Sequence, residues 1–185
     1  MNGEVRDLPV DKPASLLYYL ASRADWVGRG ELAYLYRPDA PEEVALGNVR
    51  VLLHRAKTLL EGAPQLALGF EIEKTRVRFQ VETDVAEFRR SAGSATAAAG
   101  AAAVALRLYR GPFLAGVSVR DSPGYETWLE LERSNLSRQR RHLAIAECAR
   151  LFGRCVAATG KGNPEETCEA FEMLLALLQH IDQGM

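Results

Sequence analysis

Apolar residues recur at helical spacing through most of this 185-residue chain, but in one window, FEIEKTRVRFQV from Phe70 to Val81, they alternate with polar ones. Alternation puts successive side chains on opposite faces of an extended strand, whereas a spacing of three or four gathers them on one side of a helix. The window therefore reads as a β-hairpin turning at Lys74-Thr75. Phe70, Ile72, Val77, Phe79 and Val81 are expected to face inward, and Arg76 and Arg78 outward. Elsewhere the chain reads as helix, which makes the expected class mainly α with a small β component.

Three helices precede the hairpin. In DKPASLLYYLASR, Asp11 can cap, Pro13 suits the first turn and Leu16, Leu17 and Leu20 share a face, with an end expected near Asp25. GRGELAYLY reads as a short second helix, joined to the first by a tight link, with Leu32, Leu35 and Tyr36 buried and Pro38 ending it. The third starts at Pro41, with Glu42 and Glu43 at the positive end of its dipole, and runs to about Leu60. On a helical wheel, Ala45, Val49, Leu52, Leu53, Ala56 and Leu60 form one apolar stripe. The opposite arc carries Gly47, Asn48, Arg50, Val51, His54, Arg55, Lys57 and Thr58. Three helices and then a hairpin is the order of a winged helix-turn-helix, so residues 1–83 are expected to form a DNA-binding domain of that type.

The strand signal vanishes after Asp84, and residues 84–185 read as an all-α domain. DVAEFRRSA is a short helix, and TAAAGAAAVALRLYRG is a strong helix former ended by Gly111-Pro112. GPFLAGVSVRDSPG is an irregular crossing loop. Ser122 and Pro123 sit in capping positions for a stretch to about Thr159, long enough for one helix or for two broken near Gly153. A last helix opens at Asn163-Pro164 and reaches about His180. Two antiparallel helices around GKGNP make a tetratricopeptide-like hairpin.

Composition excludes several classes. No apolar run reaches the roughly 18 residues of a membrane span, and MNGEVRDLPV lacks a basic-then-apolar leader, so the expected compartment is the cytoplasm. Cys148, Cys155 and Cys168 are odd in number and never spaced C-x-x-C, which reads as reduced, mostly buried thiols. His54, His142 and His180 are scattered with no ligand pairing, so neither metal nor cofactor is expected. TGKGN lacks the phosphate-loop frame, because Gly162 stands where a hydroxyl is required, and no Ser, His and Asp set has catalytic spacing. An enzyme is not expected. Tyr125, Trp128, Leu129, Leu136 and Leu143 recur at helical spacing as a core stripe of the long helix, with Arg133, Arg140 and Arg141 opposite.

What remains is local charge. The net charge of −1 gives no bulk attraction to nucleic acid, but no acid lies between Glu43 and Glu61. The candidate DNA-binding residues are therefore Asn48, Arg50, Val51, His54, Arg55 and Lys57 on the third helix, with Lys74 and Arg76 at the hairpin. Arg and Lys can reach guanine or phosphate in the major groove, and a small or methyl-bearing neighbour such as Val51 allows close approach to bases. A hairpin tip positions by touching phosphate, or else is a polar turn guarding a sheet edge.

The chain resembles the Streptomyces-antibiotic-regulatory-protein type of bacterial activators, which join an OmpR-like winged helix to a bacterial transcriptional activator domain. The resemblance is carried by KPASLLYYLA, GELAYLYRPDAPEE and NVRVLLHRAKTLL in the first half, and by ALRLYRGPFLAG with DSPGYETWLELER in the second. It implies promoter DNA bound through the third helix (about 41–60), a wing at about 70–81, and RNA polymerase met near the link between the second and third helices. By position, Asn48, Arg50, His54 and Arg55 fall in the recognition helix and Arg76 at the wing. A homodimer is compatible with it. Such proteins usually carry a fuller N-terminal sheet and continue through further helical hairpins, so the helical domain is expected to be incomplete. The alternative is a protein-binding adaptor, built from a winged helix and helical hairpins, without DNA affinity.

Overall fold

The computed structural model of the chain describes residues 8–94 and 101–183. It is mainly helical, with one three-stranded antiparallel sheet near the N-terminus, and it divides into two units: residues 1–83 with 116–131, and residues 84–115 with 132–185.

In the first unit, α1 (Lys12–Arg23) is capped as its sequence requires: the Ala14 N–H donates to Asp11 Oδ1 at 2.9 Å. The chain leaves α1 through Ala24 in the left-handed conformation, φ 52°. The connection to α2 (Arg29–Tyr36) is not a bare link, because it contains a strand, β1 (Val27–Gly28). Two residues carry no alternation to read; β1 exists because Val27 is fully buried and pairs with Val77. α3 (Glu42–Leu60) buries Ala45, Val49, Leu52, Leu53, Ala56 and Leu60, the six residues of the apolar stripe. A further turn, α4 (Pro64–Ala67), leads into β2 (Phe70–Ile72) and β3 (Arg76–Phe79).

The sheet order is β1-β3-β2, with Phe70 opposite Phe79, Glu71 opposite Arg78 and Ile72 opposite Val77. Val77 and Phe79 are buried, as alternation requires, but Ile72 is 41% exposed. The cause is its strand: α1 packs on the central β3, whereas β2 lies at the sheet edge.

Residues 116–131 complete this unit. They include the first turns of α7 (Pro123–Gly160), whose Tyr125 and Leu129 are fully buried. Tyr125 stacks on Tyr36 with centroids 5.9 Å apart, and Trp128 meets Tyr19 edge-on at 4.8 Å. Trp128 is half-buried and belongs to this cluster, instead of lining the core of the helical half. Gly124 is required here: a Cβ at this position would lie 2.6 Å from the Leu35 carbonyl oxygen, a backbone atom that cannot move aside. Ser122 does not cap α7 with its hydroxyl, which donates to the Arg120 carbonyl at 3.3 Å.

In the second unit, α5 (Asp84–Ser94) packs on α6 (Ala101–Leu108). The earlier part of the alanine run lies outside the described residues. Phe88, Ala102, Ala105, Leu106, Leu136, Leu143 and Ala144 form the core. Its alanines leave room for close helix approach. α7 runs unbroken through Gly153, since a helix flanked by good formers tolerates one glycine. It ends where Gly162 takes φ 67° and the Asn163 N–H reaches back to the Ala158 carbonyl at 3.1 Å. Asn163 Oδ1 then accepts from the Glu166 N–H at 3.2 Å, which starts α8 (Pro164–Gln183). The two long helices resemble a tetratricopeptide-like pack, with Leu151, Ala158 and Ala170 buried and Arg154 3.7 Å from Glu169.

Two further expectations are corrected. Arg140 does not lie on an open face: it is buried, with its guanidinium 4.9 Å from the centre of the Tyr109 ring, where its flat cation can stack. Cys148 and Cys155 are half-buried, but Cys168 is exposed.

These glycines make a paired test of the packing. Gly124→Ala should destabilise the protein by about 1–3 kcal/mol through the forced contact with Leu35. Gly153→Ala, where a Cβ meets nothing within 4 Å, should stabilise it by about 0.5–1 kcal/mol. Urea denaturation of the two variants measures both, and equal shifts would contradict the close approach.

Candidate nucleic-acid interface

Burying one stripe of α3 turns its other arc to solvent. Asn48, Arg50, Val51, His54, Arg55, Lys57 and Thr58 are all exposed. Val51 is 52% exposed, an apolar side chain among cations with no core to explain it. Among the described residues the hydrogen bond along this arc is local, from the Thr58 hydroxyl to the His54 carbonyl at 3.3 Å.

Two shallow recesses extend this arc. Asn48, Val51 and Arg55 line one with Lys12, Pro13 and Arg37, and His54, Arg55 and Thr58 line the other with Asp11 and Lys12. The structure thus adds Lys12 and Arg37 to the basic surface. No local pattern marks them; they arrive because α1 and α2 pack on α3. Lys12 Nζ also donates to the Asp121 carbonyl at 3.1 Å, which fixes its position.

The hairpin is a different electrostatic object. Lys74 is exposed at its turn. Arg76 is exposed as well, but its Nε donates to Glu73 Oε2 at 2.7 Å and its Nη2 to Glu73 Oε1 at 3.2 Å. Arg78 makes the equivalent bond to Glu71 at 2.8 Å. Both guanidinium groups also lie over the Trp26 ring, at 4.3 and 4.6 Å from its centre. The register explains the cluster. Glu71 faces Arg78 across the ladder, Glu73 closes the hairpin through its N–H to the Arg76 carbonyl, and Trp26 immediately precedes β1 on the other flank of β3. Arg29 secures the tip from below, donating from Nη2 to the Glu73 carbonyl at 2.7 Å, while its N–H donates to the Thr75 carbonyl at 2.9 Å. The structure therefore brings Asn48, Val51, His54 and Arg55 together with Lys12, and leaves Arg76 as an ion-paired, stacked cation. Its acidic partners were visible in the sequence at two-residue spacing, but only strand pairing says which arginine each one meets.

Among the described residues, no group of three His, Cys, Asp or Glu side chains could hold a metal, and no helix is long and apolar enough to cross a membrane. Comparison with protein families adds one finding: residues 76–162 match the bacterial transcriptional activator domain. That domain is present here. No curated protein and no solved structure matches the chain. The activator domain, a non-catalytic regulatory module, begins at Arg76 in β3 and takes in α5, α6 and the whole of α7, ending at the Gly162 turn.

The Arg76 pair has a measurable signature. Its hydrogen bonds hold the Glu73 carboxyl below the ordinary glutamate value. The charged pair therefore contributes stability above the unfolded-state value of about 4.3, and this is lost as pH falls through the depressed native one. A carboxyl-detected NMR titration should give Glu73 a lowered midpoint that moves back up in Arg76→Ala; an unchanged midpoint would mean the pair does not persist in solution.

Proposed function

We propose that this chain is a cytoplasmic, sequence-specific DNA-binding transcriptional regulator that acts as an activator. Residues 1–83 serve as an OmpR-like winged helix-turn-helix, and residues 84–185 as a tetratricopeptide-like regulatory domain. The observation that carries the reading is the exposed, acid-free polar arc of α3, set in the order α1-β1-α2-α3-α4-hairpin, with the activator-domain match opening at the hairpin's second strand. In this reading α3 enters the major groove. Asn48, Arg50, His54 and Arg55 read base edges or phosphate, Val51 meets a thymine methyl, and Lys57 contacts the backbone. Lys74 and Arg76 act as a wing that positions the protein on phosphate. RNA polymerase is the proposed partner at the link between α2 and α3, and a homodimer would let two such modules engage paired half-sites.

A second reading is favoured by one specific observation. Arg76 and Arg78 are each neutralised by a glutamate, which removes two cations from the surface a wing would present. An adaptor that binds protein through the same scaffold needs no free wing cations.

Sequencing of genomic fragments retained by the purified full chain separates the two readings, since the regulator should enrich a shared motif and the adaptor none. On the enriched site, Arg50→Ala and Arg55→Ala should each weaken binding. A lost phosphate contact should reduce the slope of log K against log salt by about one, whereas a lost base contact should relax preference at one position. Arg76→Ala should lower affinity without changing the preferred sequence. Wild-type affinity and salt slope in both α3 variants would remove α3 from the interface.

A further inference from the structure

We propose that the cavity lying between the start of α5 and the turn after α6 is a binding site for a small aromatic monocarboxylate. The cavity measures about 330 Å³, and Val85, Phe88, Leu108, Tyr109, Phe113 and Leu136 form most of its wall. That is the size of a compact ligand site, and the aromatic lining suits a flat, apolar occupant. Val85, Leu108, Tyr109 and Phe113 are only half-buried, so an occupant would cover apolar surface that is now wet.

The wall is held in shape before any ligand arrives. Arg133 reaches from α7 to grip the turn, donating from Nε to the Phe113 carbonyl at 2.9 Å and from Nη2 to the Leu114 carbonyl at 2.6 Å. Leu114 takes φ 48°, and the Ala115 N–H donates to the Pro112 carbonyl at 3.1 Å. Tyr109 is fixed by two neighbours, the Arg140 guanidinium at 4.9 Å from its centre and the Phe88 ring at 5.9 Å. A turn clamped this way loses little freedom on binding.

Charge selects an acid. Two charged side chains line the cavity, Asp84 and Arg110. The Asp84 carboxylate already accepts the Val85 N–H at 2.8 Å, while Arg110 is exposed and makes no hydrogen bond or ion pair among the described residues. An adjoining recess beside Tyr109 and Pro112 is lined by Arg133, Arg138 and Arg141, so the local potential is positive. Asp84 works against a second negative charge. The occupant that satisfies all of this places its ring system among Phe88, Tyr109 and Phe113 and its single carboxylate on Arg110. The site is independent of the DNA-binding reading and stands or falls on its own measurement.

The test is a titration of 2-naphthoate into the full chain, followed by methyl NMR. Saturable shifts are expected at Val85, Leu108, Leu114 and Leu136. Arg110→Ala, at an exposed position with no hydrogen bond or ion pair among the described residues, should weaken binding about tenfold through the lost charge-assisted contact. The neutral 2-naphthol should bind the wild type more weakly than 2-naphthoate does, and be indifferent to Arg110→Ala. The proposal is overturned by the absence of saturable shifts at these four residues, by equal 2-naphthoate affinity in Arg110→Ala, or by shifts confined to the exposed Ile145, Leu175 and Leu178.

Discussion

Closure of the α3 apolar stripe against α1 and α2 is the contact on which the first unit depends. Ala45, Val49, Leu52, Leu53, Ala56 and Leu60 occupy one side of the helix, and each is buried. A helix of 19 residues has little stability alone in water, so packing of this face holds it. The same packing decides which residues remain for a partner. Once the stripe is closed, helical geometry turns Asn48, Arg50, Val51, His54 and Arg55 outward together. Lys12 joins them because α1 lies beside α3. A candidate interface thus comes from the same periodicity as the core, as its complement.

Charge is handled differently in the two places where cations cluster in this unit. Along α3 the basic side chains have no carboxylate neighbours on their own arc, so their field reaches solvent. On the hairpin each arginine meets a glutamate and both share the Trp26 ring, so the sheet surface is nearly neutral and locally ordered. Pairs this exposed contribute little to stability; any anion brought to this surface would have to compete with a carboxylate already in place. Arginine in the second unit is largely structural. Arg133 holds carbonyls of a turn, Arg140 stacks on Tyr109, and Arg150 binds the buried Glu147 through two hydrogen bonds at 2.7 and 2.8 Å, which keeps that carboxyl below its ordinary range.

The activator-domain match and the structural units do not share one boundary. The matched residues begin in β3, and α7 contributes its first turns to one unit and its remainder to the other. A helix of 38 residues can do this because its buried positions shift in character along its length. Large aromatics at Tyr125 and Trp128 serve an aromatic cluster, and Leu136, Leu143 and Ala144 serve a helical core. The apolar side chains left exposed beyond them, Ile145, Phe152 and Val156 on α7 with Phe171 and Leu175 on α8, belong to the tetratricopeptide-like pair.

Sequence alone determined whatever depends on the period of a single element. The hairpin, the helices from α1 to α3 and the Asp11 and Asn163 caps come from spacing and backbone chemistry within a few residues, where each residue's partners are its chain neighbours; the stretch that forms α7 is helical in pattern, but its continuity through Gly153 is not decided there. The composition of the α3 arc was legible for the same reason, since a buried stripe of known period defines its opposite face. Only the tertiary structure decided the rest. β1 is too short to alternate and exists through Val77; Ile72 carries the pattern of an inward residue, yet sits on an edge strand and stays part-exposed. Trp128 has the spacing of a helical core but finds Tyr19, more than a hundred residues away in the chain. Arg140 looks like a surface cation until Tyr109 covers it, and Arg76 looks like a free one until strand pairing brings Glu73 to it. In each case the deciding partner lies on another strand, turn or helix, and periodicity carries no information about which elements meet.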